Sequence, residues 1–203
     1  MTSVEIYEHL RERMPDAVVG YEANSAQPAI LIDAEEVFEL ALLLRDSEKL
    51  SFDRLLVISG VDWEGYDEKG KGKHRKIAQY GEDGKPNDPG PEGTGDLGLY
   101  WYLHSMKYRH SIALKARIAR GRASAPSLAT IWPTAAWAER EIFDFYGIEF
   151  SGHPDLRRMF LPEDWEGYPL RKDYPMPARY HDVPLEGLPL AVRENQQSQE
   201  EGA

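Results

Sequence analysis

The charged residues of one short segment are the first candidates for chemistry. Residues 135–146 are predicted to form a helix, and they carry Glu139, Arg140, Glu141 and Asp144. Carboxylates beside an arginine are typical of acid/base or proton-handling sites. Arg140 and Asp144 are four residues apart, so we expect them to form an ion pair along the helix. Structural ion-pair networks look like catalytic ones in a sequence. We therefore favour a structural role, in which these charges form local or intersubunit ion pairs, over a catalytic one.

A second group of charged residues follows in two proline-containing stretches. These are GHPDLRR, residues 152–158, and GYPLRKDYP, residues 167–175. Arginine binds carboxylates in a bidentate manner, which suits contact with a partner protein. Interleaved apolar side chains favour an interface over a solvent-exposed tail. The residues that carry this prediction are Arg157, Arg158, Arg171, Lys172, Trp165, Leu170 and Tyr174.

The sequence contains no self-contained active site. It has no cysteine, which excludes disulfides, thiolate zinc sites and cysteine-held iron–sulfur clusters. The histidines lack metal-binding spacing, and Pro154 separates His153 from Asp155. Nucleotide-binding glycine loops and the nucleophile-elbow motif are also absent. We therefore predict no catalytic, cofactor-binding or metal-binding residue in this chain.

Apolar periodicity predicts the elements that position these residues. A helix begins at a capping box, Thr2 with Glu5, and ends before Pro15. A second amphipathic helix follows, and alternation predicts a two-stranded hairpin over residues 97–119. Together these patterns predict an α+β fold, in which helices cover one face of a mixed sheet in a two-layer domain. The domain spans residues 1–148, and an extended proline-rich arm spans residues 149–203.

Charge is unevenly distributed along the chain. Its 35 acidic and 24 basic residues give a net charge of −11, which argues against nucleic acid as a partner. Residues 97–133 contain no acidic residue. Their basic residues are expected on the solvent side of the hairpin, either solvated or docked on an acidic protein surface. They are Lys107, Arg109, Lys115, Arg117, Arg120 and Arg122.

Two segments are predicted to lack regular structure. Residues 64–96 are rich in glycine and charge, which indicates a surface loop, and the last ten or so residues are expected to be disordered. The longest uncharged stretch, residues 123–138, contains two prolines and does not suit a membrane-spanning helix. We therefore expect contact with a membrane only through partner subunits.

Two stretches carry a resemblance to a known family. The run WAEREIFDFYGIEFSGHPDLRR, residues 137–158, closely resembles the signature of the 30 kDa subunit family (C subunit) of respiratory complex I. The run DWEGYPLRKDYP, residues 164–175, resembles the second motif of the same family, in the same order and at a fitting separation. The resemblance covers the chain except for residues 64–96 and the last ten or so.

This resemblance implies a cofactor-free peripheral-arm subunit of a proton-translocating NADH:quinone oxidoreductase. Such a subunit holds the quinone-reducing D subunit and the iron–sulfur subunits together. The iron–sulfur clusters and FMN are expected in partner subunits. It implies a peripheral location on the cytoplasmic face of the bacterial inner membrane. The residues expected at partner interfaces are Trp137, Glu139, Arg140, Glu141, Asp144, His153, Asp155, Arg157, Arg158, Trp165, Leu170, Arg171, Lys172, Asp173 and Tyr174.

Three alternatives remain open from the sequence. The chain could serve a related complex with another electron donor, such as ferredoxin, a reduced deazaflavin or a hydrogenase. It could be a free-standing acid/base hydrolase or metal-dependent enzyme that uses Glu139, Glu141, Asp144 and His153, which requires a closed pocket joining them. It could also be an adaptor whose polybasic run, residues 69–76, binds lipid or nucleic acid.

Overall fold

The computed structural model of the chain describes residues 1–23, 28–63, 96–175, 177, 179–181 and 183–184. These residues belong to two compact units, and the boundary between them falls between Tyr174 and Pro175. The first unit contains every element discussed up to Tyr174. The predicted surface loop, the polybasic run and the predicted disordered end lie outside the described residues, apart from Asp96 at the end of the loop.

The chain begins with helix α1, Ser3–Arg13. The Thr2 hydroxyl accepts a hydrogen bond from the Glu5 amide at 3.3 Å, and the Glu5 carboxylate accepts one from the Thr2 amide at 2.8 Å. This reciprocal pair satisfies two backbone donors that a helix start leaves unpaired, so the predicted capping box is confirmed. The helix buries Ile6 and Leu10 completely.

A five-stranded mixed sheet forms the centre of the first unit. Its strands, with the helix that follows the second, are β1 (Val18–Glu22), β2 (Ala29–Ile32), helix α2 (Val37–Asp46), β3 (Arg54–Asp62), β4 (Leu97–Ser105) and β5 (His110–Ile118). The strand order is β1-β2-β5-β4-β3, with β2 and β5 parallel and all other neighbours antiparallel.

One face of this sheet carries the helices. In β4, Leu97, Leu99, Trp101 and Leu103 are fully buried, whereas the tyrosines and the histidine between them are half-buried. The four leucine and tryptophan side chains join one apolar cluster with residues of α1 and α2. This period-two pattern is that of a sheet with one covered face. The fold is therefore α+β with two layers, as the sequence predicted.

The hairpin of β4 and β5 is also confirmed, but its basic residues are not all on a solvated face. Lys115 is only 6 % exposed, and its Nζ lies 2.8 Å from the Glu22 carboxylate. Across the two strands, His104 pairs with Ser111 and His110 pairs with Ser105.

The segment after the hairpin leads into the third helix. A 3-10 helix, Arg120–Arg122, is followed by β6 (Ser124–Pro126), α3 (Ala135–Tyr146) and β7 (Glu149–Ser151). Strands β6 and β7 are parallel. Helix α3 packs closely on β3 because Gly60 lacks a side chain: a Cβ there would lie 2.8 Å from the Tyr146 ring. The apolar residues of α3 join the same cluster as those of the other two helices.

Residues 149–174 form what we call the C-terminal strap. It contains β7 and otherwise has no helix or long strand, in keeping with its prolines. The second unit is small, and its described part contains an antiparallel pair, β8 (Arg179–Tyr180) and β9 (Val183–Pro184). Over the described ranges, no helix has the length and apolar character needed to cross a membrane.

Candidate partner-binding site

Helix α3 ends at a residue that only glycine suits. Gly147 has a φ of +66°, in the left-handed region that costs other residues energy. A Cβ on Gly147 would also lie 2.3 Å from the Tyr168 ring. The strap therefore contacts the end of α3 directly, and it does so through Tyr168.

Asp144 is the main attachment point of the strap on α3. Its side chain is fully buried. Its Oδ2 atom accepts hydrogen bonds from the backbone amides of Met159, Phe160 and Leu161 at 3.0, 2.7 and 3.0 Å. Its Oδ1 atom lies 2.9 Å from the Arg158 guanidinium. One carboxylate thus fixes four consecutive residues of the strap.

The surroundings of Asp144 keep it ionised. Burial alone would raise the pKa of this carboxyl group, but the three amide hydrogen bonds and Arg158 together hold the pKa below its ordinary value. An ionised carboxylate is the stronger acceptor, so the hydrogen bonds to it are charge-assisted. The buried charge and the path of the strap therefore depend on each other.

Arg158 connects Asp144 to the next turn of the strap. Its guanidinium also donates to the carbonyl oxygens of Asp144, Trp165 and Gly167 at 3.0, 3.0 and 2.9 Å. The same group lies 5.3 Å from the centre of the Tyr168 ring, within cation–π distance. Only an arginine has enough donors in one plane for this set of acceptors.

Arg171 fixes the strap at the carboxyl end of α3. It donates from Nε to the Tyr146 carbonyl at 2.6 Å and from Nη2 to the Gly147 carbonyl at 3.3 Å. The last carbonyls of a helix lack intrahelical partners and carry partial negative charge, so a cation is favoured there. The Arg171 guanidinium also lies 4.8 Å from the centre of the Tyr168 ring.

The end of the strap is attached to the sheet. Arg120 pairs with Asp62 and, at 2.8 Å, with Asp173. Asp62 also accepts a hydrogen bond from the backbone amide of Lys172 at 2.7 Å. The side chains of Arg120 and Asp62 are 10 % and 2 % exposed. This is a buried charge cluster that joins β3, the 3-10 helix and the strap.

Glu139 lies in a different environment on the same helix. It is fully buried and accepts hydrogen bonds from the Ser127 hydroxyl at 2.5 Å and the Leu128 amide at 2.7 Å. Burial raises the pKa of Glu139, and these hydrogen bonds offset only part of that effect. Glu139 thus holds the segment between β6 and α3 in place.

His153 lies beside Glu139. Its Nδ1 atom accepts a hydrogen bond from the Asp155 amide at 3.0 Å, so the ring proton is on Nε2. Nε2 donates to the Ala136 carbonyl at 3.0 Å and lies 3.9 Å from Glu139 Oε2. The side chain is 1 % exposed. His153 therefore fastens the start of the strap to the first turn of α3.

The expected pairing of Arg140 with Asp144 is wrong. Arg140 instead donates to the carbonyls of Arg157 and Arg158 at 3.2 and 3.4 Å. Its guanidinium also lies 5.3 Å from the centre of the Trp137 ring. Asp144 pairs with Arg158 rather than with a residue of its own helix.

The remaining predicted residues occupy the surface of this region. Glu141 and Lys172 are exposed, and Arg157 pairs with Asp155 in an exposed ion pair at 3.0 Å. Trp165 is half-buried. The Tyr174 hydroxyl donates to the Glu166 carbonyl at 3.2 Å, and the Leu170 amide donates to the Phe145 carbonyl at 3.2 Å.

An exposed apolar group lies on the outer side of α3 and the strap. Trp137, Phe160 and Leu170 are 65, 59 and 51 % exposed. The Phe160 ring stacks on Phe145 with ring centres 5.5 Å apart, so it is held in one orientation. Large apolar side chains beside ordered arginines are typical of protein interfaces.

Sequence patterns did not point to Asp62, Ser127 or Phe160, nor to Arg120 as one half of an internal pair. The Asp62–Arg120, Ser127–Glu139 and Phe160–Asp144 contacts join residues that are 58, 12 and 16 positions apart. A single sequence carries no signal for such pairs.

The acidic residues proposed for a hydrolase are not gathered in one place. Glu139 has Ser127 and His153 as neighbours, Asp144 has Arg158, and Glu141 is exposed. Within the part of the chain that the structure describes, no three histidine or acidic residues come together as metal ligands. The geometry favours fastening of the strap over acid/base chemistry.

Fold and site together define a structural class: a two-layer α+β domain whose buried charges bind its own C-terminal strap and leave an apolar surface outside. Comparison with known proteins gives the family. Residues 30–180 match the family described as respiratory-chain NADH dehydrogenase, 30 kDa subunit. The chain belongs to this family, and the resemblance of its two motifs is confirmed.

Individual relatives agree with this assignment. The C subunit of the NADH-quinone oxidoreductase of Chlorobium phaeobacteroides is 37 % identical over 87 % of this chain and 91 % of its own length. That of Roseiflexus sp. is 33 % identical over 88 % of this chain and 87 % of its own length. One polypeptide of an archaeal membrane-bound sulfane sulfur reductase shares the fold, with a TM-score of 0.58, 22 % identity and 85 % coverage of both chains.

Proposed function

We propose that this chain is a cofactor-free structural subunit of a proton-translocating NADH:quinone oxidoreductase. In this proposal it holds the quinone-reducing D subunit and the iron–sulfur subunits together, and the FMN and clusters lie in those partners. The complex passes electrons from NADH to quinone and couples this transfer to ion translocation. The subunit is peripheral, on the cytoplasmic face of the bacterial inner membrane. Family membership supports the complex.

One observation carries the structural role. The charges of the two family motifs are used inside the subunit: Asp144, Arg158 and Arg171 hold the strap on α3. Groups that bind backbone amides and carbonyls inside the subunit are poorly placed to act on a substrate. They are well placed to keep a binding surface in a fixed shape, which lowers the entropy cost of association.

The surface that this framework presents is our candidate interface. Trp137 and Leu170 project outwards from α3 and the strap, and Phe160 lies between Phe145 and solvent. Tryptophan and arginine dominate the binding energy of many interfaces, and Arg140 is ordered beside Trp137. We propose that a partner subunit covers these apolar side chains, and that the arm from residue 149 onwards contributes most of the contact.

A matched pair of substitutions tests this proposal. Leu170→Ser removes an exposed apolar side chain from the candidate interface, and Leu56→Ser removes one from β3, where Leu56 is 62 % exposed. We expect Leu170→Ser to lower the amount of assembled complex on native gels, and NADH:quinone activity in membranes to fall in proportion. Leu56→Ser should leave both unchanged.

The same experiment separates scaffolding from chemistry and identifies the donor. Normal assembly with lost turnover in Leu170→Ser would contradict the structural role. Isolated wild-type and variant chains should have equal melting temperatures, because Leu170 is half exposed and its backbone hydrogen bond remains. Electron transfer from reduced ferredoxin but not from NADH would assign the chain to a related complex instead.

A further inference from the structure

A second surface feature lies beside the strap but outside the apolar group. It is a notch of about 390 Å³ between the 3-10 helix, β6 and the carboxyl end of α3. Three arginines and one acidic residue line it: Arg120, Arg122, Arg171 and Glu149. The remaining lining residues are small, namely Gly121, Ala123, Ser124 and Gly147. Small residues leave the charged groups accessible to a narrow ligand.

The three arginines differ in how much of their hydrogen-bonding capacity is used. Arg120 already binds two carboxylates, Asp62 and Asp173. Arg171 donates to two backbone carbonyls, which leaves further N–H groups of its guanidinium. Arg122 is exposed, and its side chain has no hydrogen bond or ion pair within the described residues. The notch thus contains unused cationic donors beside an ordered cation.

The sign of this charge is unusual for the molecule. The whole chain has a net charge of −11, whereas the three arginines and Glu149 give the notch an excess of positive charge. Arginine binds a carboxylate through two parallel hydrogen bonds. Arg120, which lines the same notch, already pairs with a carboxylate, that of Asp173. The charge of the notch therefore suits an anionic group.

We propose that this notch binds a carboxylate side chain from an acidic segment of a partner subunit, with Arg122 as its main contact. This inference rests on the proposed role as a subunit of a complex. A protein carboxylate is favoured over a lipid headgroup because a protein of this net charge is repelled by an anionic membrane surface. Glu149 also lines the notch and repels a second anionic group, which favours a single carboxylate.

Cross-linking the assembled complex tests the contact directly. Arg122→Lys keeps the positive charge and supplies an amine that a water-soluble carbodiimide joins to a touching carboxylate, as an amide with loss of water. We expect mass spectrometry of the purified complex to show residue 122 joined to an Asp or Glu of another subunit. Lys107 is an exposed native lysine at the opposite end of the hairpin, and it provides the internal control.

Charge reversal gives a second, independent readout. Arg122→Glu should lower the yield of assembled complex about tenfold, because like charges placed together at an interface strongly disfavour association. Lys107→Glu should leave the yield unchanged. Equal melting temperatures of the isolated chains show that folding is intact.

The outcomes separate this inference from the proposed function. If the chain does not co-purify with other subunits, the proposed function fails. If it co-purifies but residue 122 joins only Glu149 or nothing, the inference fails alone. Arg122-dependent binding to vesicles of equal phosphatidylcholine and phosphatidylglycerol, without a cross-link to a subunit, would assign the notch to lipid and overturn the inference too.

Discussion

Two carboxylates of helix α3 are both hidden from solvent, yet they lie in different electrostatic environments. Glu139 and Asp144 are both completely removed from solvent. The pKa of Glu139 is raised, and the pKa of Asp144 is lowered. Burial raises the pKa of both acids, more strongly that of the deeper Glu139, and the donors around each acid lower it.

The donors explain the contrast. Asp144 has three backbone amides and a guanidinium, whereas Glu139 has one amide, one hydroxyl and a histidine at 3.9 Å. A cation and several amides stabilise a buried negative charge, while fewer neutral donors suit a protonated acid. The Asp144 carboxylate is therefore the more strongly stabilised as an anion, and Glu139 is held by fewer donors.

The largest expected effect is that of Asp144→Asn. The change removes the negative charge and leaves Arg158, which is 15 % exposed, without its counter-ion. Breaking a buried ion pair by removing one partner is strongly destabilising, so we expect the free energy of unfolding to fall by about 3 kcal/mol. Urea denaturation of the full chain at neutral pH measures this loss.

A loss of less than about 1 kcal/mol for Asp144→Asn would contradict the assignment, since it would equal that of an ordinary neutral hydrogen bond. Arg158→Ala provides the complementary test, because it removes the cation and keeps the carboxylate. In the double variant, the loss in the free energy of unfolding should be much smaller than the sum of the two single losses, because the two residues act through one contact.

The two carboxylates should also give opposite pH dependences. The folded-state pKa of Asp144 is lowered, so its contribution to stability is present above about pH 3.9 and is lost as the pH falls further. The folded-state pKa of Glu139 is raised. The native state then retains the Glu139 proton longer, and stability falls as the pH rises from about 4.3 through that pKa.

Denaturation of each variant and of the wild type across this range measures the dependence. The difference in the free energy of unfolding between the wild type and Asp144→Asn should become smaller as the pH falls. The difference between wild type and Glu139→Gln should instead decrease as the pH rises, because only the wild type loses stability there. Parallel curves for the two variants would mean that the environments of the two acids are alike.

A smaller effect is expected for Glu139→Gln at neutral pH. Glutamine has the same shape and retains an acceptor for the Leu128 amide, and the Ser127 hydroxyl can rotate to accept from the new amide group. We expect the free energy of unfolding to change by about 1 kcal/mol or less. A loss as large as that of Asp144→Asn would show that Glu139 is needed as an anion.

The smallest change in the free energy of unfolding is expected for Arg157→Ala, although Arg157 is next to Arg158 in the chain. The Arg157 side chain is 69 % exposed, and its partner Asp155 is 56 % exposed. Exposed ion pairs contribute little, so the loss should be below about 0.5 kcal/mol. Thermal unfolding in low and moderate salt measures it. An effect like that of Arg158→Ala would mean that this pair is buried in solution.

Local patterns in the sequence predicted the elements well, because capping and alternation depend on neighbouring residues. The Thr2–Glu5 capping box and the 97–119 hairpin are examples. The site was predicted less well, because its contacts join distant residues. The pairing of Arg140 with Asp144 satisfied the helical spacing rule, yet Arg158 and the amides of residues 159–161 offer Asp144 more donors.

Burial also reversed an expectation about charge. Lys115 and Arg120 belong to a run without acidic residues, which indicated a solvated face. Both have acidic partners from elsewhere in the chain, Glu22 for Lys115 and Asp62 for Arg120. Only the fold brings these acids close. Counting charges along the sequence therefore could not distinguish the buried Lys115 and Arg120 from the exposed Arg122.

Amide hydrogen exchange in the isolated full chain shows whether the subunit shapes its own strap through Asp144. The amides to follow are those of Met159, Phe160 and Leu161, which donate to Asp144 Oδ2. We expect slow exchange at all three amides in the wild type, and we expect all three to lose this protection together in Asp144→Asn. Fast exchange of these amides in the isolated wild-type chain would contradict this expectation, because the strap would then acquire its shape only from a partner.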